Sequence, residues 1–218
     1  MIHGFKDNKI TTAEEWLIDY SLKTGNSIDI NPDLFDMPIM FDGRKVDAFI
    51  LDVLDNKLII QLALPLKCEF DGKSNRYETS YVRKLINSNE FLNRFNQEFA
   101  KHIQLTEVHT EDYVTNDKLW LLSHEEINRS DYRCSNYLRP NYECHAFEMF
   151  NTIDLEAYSR VLLKNKDVYG WRLRSAYSSH NMAADGRLVG SVNEHGYVNY
   201  YNAAHTDVGA LFLVCTIC

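Results

Sequence analysis

Nothing in this sequence offers a membrane anchor. No apolar run approaches the roughly 20 residues that span a bilayer. Met1 is not followed by the basic stretch and apolar core of a secretory signal. The expectation is synthesis in the cytoplasm with no signal peptide, with lysis or a virion as the export routes compatible with it. The chain also lacks an excess of positive charge: 23 Lys and Arg face 31 Asp and Glu, a formal net charge of −8. Phosphate contacts need a basic face, so neither nucleic acid nor an anionic membrane surface is expected as a partner.

Cysteine is scarce and odd in number, five in 218 residues, which argues against a disulfide framework. Cys215 and Cys218 form a C-x-x-C at the end of the sequence, without the following helix that lowers a thiol pKa. They read as packed or frayed thiols on a last strand. Cys134 and Cys144 lack the spacing of a zinc knuckle. Proline (4) and glycine (9) are also few. No repeat or low-complexity linker divides the chain. The expected organisation is an N-terminal arm and helix over 1–36, followed by one domain over 37–218.

What is present is ordinary globular material, 45% apolar and 25% charged, with 13 tyrosines. Residues 1–10 read as a polar arm. Thr12 and Glu15 form a capping box for a helix that carries Trp16, Leu17, Tyr20 and Leu22 on one face and stops at Gly25. The stretch 37–41, with Pro38, suits an edge. Asp42-Gly43 and Asp55-Asn56 are turn signals bracketing a strand over 45–52, which pairs with a central apolar strand over 58–64. Ser80 caps a helix bearing Val82, Leu85 and Ile86. Ser88 caps a second one, with Phe91, Leu92, Phe95, Phe99 and Ile103 at helical spacing.

A short strand is expected over 105–109. The acidic stretch 111–117 reads as a loop; no cofactor is expected, a structural calcium ion there being conceivable although the EF-hand spacing and turn glycine are missing. Lys118 to Leu122 reads as a buried strand, and Ser123 with Glu126 as a second capping box opening a short helix. Residues 129–150 are irregular, and 155–163 are helical. From Tyr169 the pattern turns to β. Strands are expected over 171–175, 187–193, 197–201 and 208–214, with a hairpin turn at Glu194-His195-Gly196.

Several ordered motifs carry a resemblance. They are Tyr77, Ser80, Arg83, Leu85-Ile86-Asn87, Phe91-Leu92 and Phe95; then Asp117-Lys118-Leu119-Trp120-Leu121-Leu122-Ser123 with Glu126; then Trp171-Arg172-Leu173-Arg174-Ser175; then Val192-Asn193 and Gly196-Tyr197-Val198. Over about residues 39 to 214 the chain resembles a family of bacterial and phage proteins that read Y-x-x-S-x-x-R, D-K-x-F-L-L-S and W-W-L-R-S. It departs from them at Gly170, in place of the first Trp, and at Val208-Gly209-Ala210-Leu211, in place of G-V-R-P. The resemblance implies an α+β, C-type-lectin-like fold close to the formylglycine-generating-enzyme type. In such a fold, antiparallel sheets, flanking helices and long irregular loops form a display platform.

On that platform the expected contact surface is Tyr177, His180, Asn181, His195, Tyr197, Asn199, Tyr200, Tyr201, Asn202 and His205. Tyrosine with Ser and Asn combines rigid aromatic area with adaptable hydrogen bonding. The expected function is non-enzymatic recognition, of phage or prophage type, of a protein or glycan ligand. One alternative is a phage-encoded inhibitor of a host defence or host enzyme, using the acidic surface. Another is a metal-dependent oxidase related to formylglycine-generating enzymes, for which Cys215 and Cys218, or His180, His195 and His205, are the local ligands. No Ser–His–Asp order, phosphate-cradling glycine loop or H-E-x-x-H is present, so no catalytic residue is assigned. A homo-oligomer is an open expectation; since no heptad segment is visible, its assembly would fall to the fold itself or to another chain.

Overall fold

The first ten residues form a hairpin, not an arm. In a computed structural model, which describes residues 1–72, 74–110, 113–127, 146–164, 166–176, 188–204 and 209–218, β1 (Ile2–Lys6) and β2 (Lys9–Thr12) pair antiparallel. Asp7 and Asn8 turn the chain at φ 48° and 61°, a left-handed conformation that these two residue types tolerate better than most. Ile2 and Phe5 are buried beneath it. The capping box then starts α1 (Ala13–Thr24) as expected, and Gly25 closes it in αL. Trp16, Leu17 and Tyr20 are buried, but Leu22 is 80% exposed. Gly4 lets the helix approach: a Cβ there would lie 2.4 Å from Trp16 Cβ.

α2 (Asp33–Asp36) leads to the small hairpin β3 (Met40–Phe41) and β4 (Arg44–Lys45). Asp42 and Gly43 turn it at φ 49° and 73°. Next come β5 (Ala48–Leu54) and β6 (Lys57–Leu62), an antiparallel pair turned at Asp55-Asn56 as the sequence indicates. The main sheet runs β12-β6-β5-β1-β2, with β12 (Val214–Ile217) at its edge. Here β1 lies parallel to β5, so this sheet is mixed and joins residues on both sides of position 36. The last strand falls over 214–217, later than expected. Residues 210 and 211 make only isolated bridges, to Trp171 and Leu66.

α3 (Tyr81–Ile86) is capped by Ser80. The single helix expected after Ser88 is instead two turns, α4 (Asn89–Leu92) and α5 (Gln97–Ala100). The reason lies between them. Asn96 N–H donates to Met40 O and its Oδ1 accepts from Met40 N–H, while Arg94 O accepts from Asp42 N–H. Pairing with β3 breaks the helix, yet the phenylalanines keep their contacts, with Phe95 against Phe41 and Phe99.

β7 (Thr106–Thr110) and β8 (Tyr113–Asp117) form a second hairpin. The part of the acidic stretch that is described is therefore a strand and not a loop. Leu119 to Leu122 are buried as expected, but not as a strand: Trp120 bridges Val214 and the rest is irregular. The Ser123–Glu126 box forms reciprocally and closes a turn over 124–127. After α6 (Glu148–Thr152) comes α7 (Leu155–Leu163), in the expected place, with Asp154 as its cap. The second sheet orders β11 (Val198–Asn202), β10 (Leu188–Asn193) and β9 (Gly170–Ala176). The fold is α+β, with small sheets and short helices.

Candidate functional site

The motif arginines Arg174 and Arg83, with their carboxylate partners and Trp171, fold inward. Arg174 on β9 is 1% exposed. Its guanidinium donates to both Glu126 carboxylate oxygens at 2.6 and 2.8 Å, to Thr110 Oγ1, and to the carbonyls of His109 and Leu121. Glu126 Oε2 also accepts Ser123 N–H. Arg83 chelates the buried Asp117 at 2.8 and 3.1 Å, and Thr115 donates to the same carboxylate. Asn87 accepts from the backbone of Lys118 and Leu119, and Trp171 Nε1 donates to Ser159 Oγ. These charges are paired and hydrogen-bonded, which is the condition for burying them. Their work is architectural.

Of the expected contact residues, His195 and Tyr197 are exposed at the β10–β11 turn. Asn193 Oδ1 accepts from both His195 N–H and Tyr197 N–H, which fixes the turn. Gly196 adopts φ 73° and backs onto the start of α7: a Cβ there would lie 2.7 Å from Glu156 N. His195 lies 3.5 Å from the Glu156 carboxylate. Asn199, Tyr200 and Tyr201 are half-buried along β11. Strand alternation puts Asn199 and Tyr201 on one side and Tyr200 on the other, where Tyr200 meets the buried His124 edge-on at 5.5 Å. Tyr177, His180, Asn181 and His205 lie outside the described residues, and Asn202 is described only as backbone.

Sequence reasoning missed His124. It is 1% exposed, and neither ring nitrogen has a hydrogen-bond partner. Burial lowers its pKa to about 4, so the ring is neutral. Gly190 makes room for it: a Cβ there would stand 2.5 Å from His124 Nε2. Cys215 is fully buried and Cys218 exposed. Burial pushes the Cys215 thiol up, away from the thiolate that a metal or an oxidase reaction requires. No group of three or more metal-ligating side chains occurs among the described residues.

A cleft of about 340 Å³ opens between the β5–β6 hairpin and β7. Its walls include Val53, Leu54, Ile59, Val108, Trp120 and Phe147, with Asp52, Glu107, His109 and Glu126 as polar lining. Asp52 arrives there through a β-bulge: Ile50 pairs with Ile60 but Asp52 with Ile59, so the register shifts by one residue. Bulges re-aim side chains in this way. Its carboxylate accepts Val53 N–H at 2.7 Å and Glu148 N–H at 3.1 Å. Burial nevertheless raises its pKa above the ordinary aspartate value, the two N–H bonds and a hydrogen bond from the Tyr20 hydroxyl offsetting this only in part. Tyr20, whose hydroxyl donates to Val53 O, is pushed up to about 12 by burial and then by Asp52.

Residues 55–210, more than half of the chain, match DUF6273, described as a domain of unknown function. No curated protein and no solved structure matches the chain.

Proposed function

For this chain, which belongs to the DUF6273 family of domains of unknown function, we propose a non-enzymatic recognition role, in which the β10–β11 tip contacts a protein or glycan ligand. The observation that carries this reading is the clamped turn. Asn193 holds the backbone of His195 and Tyr197 while both side chains stay in solvent. A rigid exposed aromatic gives contact area at low entropic cost on binding. The inward folding of the motif arginines and carboxylates supports the same reading, because it spends them on packing and leaves the exposed tip as the surface for contact. The C-type-lectin-like character of that scaffold, and the phage or prophage setting, rest on the motif resemblance.

The test is quantitative capture from the native host with three baits: wild type, Tyr197→Ala and His195→Ala. A ligand retained by wild type, and lost by variants with an unchanged unfolding midpoint, supports the tip. Equal capture by all three overturns it. A glycan array with the same three proteins separates the two ligand classes.

A further inference from the structure

The cleft beside β5 carries an inference independent of the hairpin tip. We propose that it binds a small organic cation, an amine whose ammonium group pairs with Asp52 and whose aromatic body lies among Val53, Ile59, Val108 and Phe147. Asp52 is half-buried and held by two backbone N–H groups, and no Lys, Arg or His partners it among the described residues. The groups arranged around it do not supply a counter-charge. Tyr20 and Glu148 face it from α1 and α6. Of the other polar residues lining the cleft, Glu107 has His109 Nε2 2.7 Å away, and Glu126 is already chelated by Arg174. A carboxylate withdrawn from water without a counter-ion is costly, and the bulge puts this one at a cavity wall.

The second observation is Trp120. It lines the same cleft, is 2% exposed, and its indole N–H is buried without an acceptor. Such an orphan donor calls for an explanation. That N–H is closed off from the solvent of the cleft, so a ligand would pair its cation with Asp52 and lay its aromatic body against the Trp120 ring. The rings of Trp120 and Phe147 would add aromatic and apolar contact to that body. Acidic lining disfavours carboxylate or phosphate ligands.

Tyramine has the required parts: an ammonium group and an aromatic ring. The experiment titrates the full chain calorimetrically with tyramine, with its neutral alcohol counterpart tyrosol, and with the anion 4-hydroxyphenylpropionate, at fixed ionic strength. Tyramine should bind at least about tenfold tighter than tyrosol, the anion should bind weakest, and Asp52→Asn should remove the preference for the amine. In ¹⁵N spectra the Trp120 indole resonance should move on adding tyramine, while those of Trp16 and Trp171 stay in place. Tyramine binding no tighter than tyrosol overturns the proposal. So does a preference that survives Asp52→Asn, or a shift confined to Trp16 or Trp171. If Asp52→Asn does not fold, the wild-type charge series and the Trp120 resonance decide the matter. Tyr197→Ala should leave tyramine binding unchanged, so failure at the tip and failure at the cleft are read separately.

Discussion

Two carboxylates line the same cleft and live by opposite rules. Glu126 receives two guanidinium bonds and a backbone N–H, so its charge is balanced inside the protein. Asp52 receives two backbone N–H groups and the Tyr20 hydroxyl, and no cation among the described residues. The first belongs to a region whose polar groups satisfy one another and fix the packing of β9 on the 121–127 turn and on β7. The second belongs to a region where a charge is held short of full satisfaction. Networks of the first kind fail when one member is removed. Groups of the second kind are where ligands gain binding energy, because the protein has left something undone.

The same neutralising change should therefore give unequal results at the two sites. Glu126→Gln strands Arg174 in the core and should cost about 3–5 kcal/mol in urea unfolding. Asp52→Asn removes a charge with no counter-ion among the described residues and should cost no more than about 1 kcal/mol, the scale of one hydrogen bond. Equal costs would erase the distinction. Between these lies the acid response of His124. Its folded pKa is about 4, against an ordinary value of 6.5, so the unfolded chain takes up the proton first. Stability should fall as pH drops from about 6.5 to about 4 and level off below, by at most about 3 kcal/mol. His124→Leu should flatten that slope. Gly190→Ala pushes a methyl against the same ring and should cost about 1–3 kcal/mol, which a thermal midpoint will show. Tyr197→Ala, at the exposed tip, should change stability by less than about 0.5 kcal/mol; a larger loss would make the tip structural.

The elements legible in the sequence were those with a local cause. The Thr12–Glu15 box, Ser80, the Asp55-Asn56 turn and the 155–163 helix depend on residues a few positions apart. The misread ones depend on distant partners. The helical spacing from Phe91 to Ile103 is real, but Asn96 bonds Met40, and that pairing outweighs propensity over so short a stretch. Residues 1–10 look polar because half of their hairpin faces water, while Ile2 and Phe5 do not. The site divides in the same way. The exposed His195 was visible as a turn residue, and Tyr197 as the start of the strand that follows it. Asp52 was one of 31 acidic residues, and no local pattern marked it.

The sequence by itself determined where the caps and turns fall, which stretches are apolar, and that the fold would mix short helices with hairpins. These follow from side-chain chemistry acting within a few residues. Only the tertiary structure decided which charges were spent and which were left. Arg174 and Glu126 are 48 positions apart, and Asp52 and Glu148 are 96 apart. Whether a carboxylate is balanced or stranded depends on what the fold brings to it from such distances, and on a one-residue bulge that local propensity does not encode.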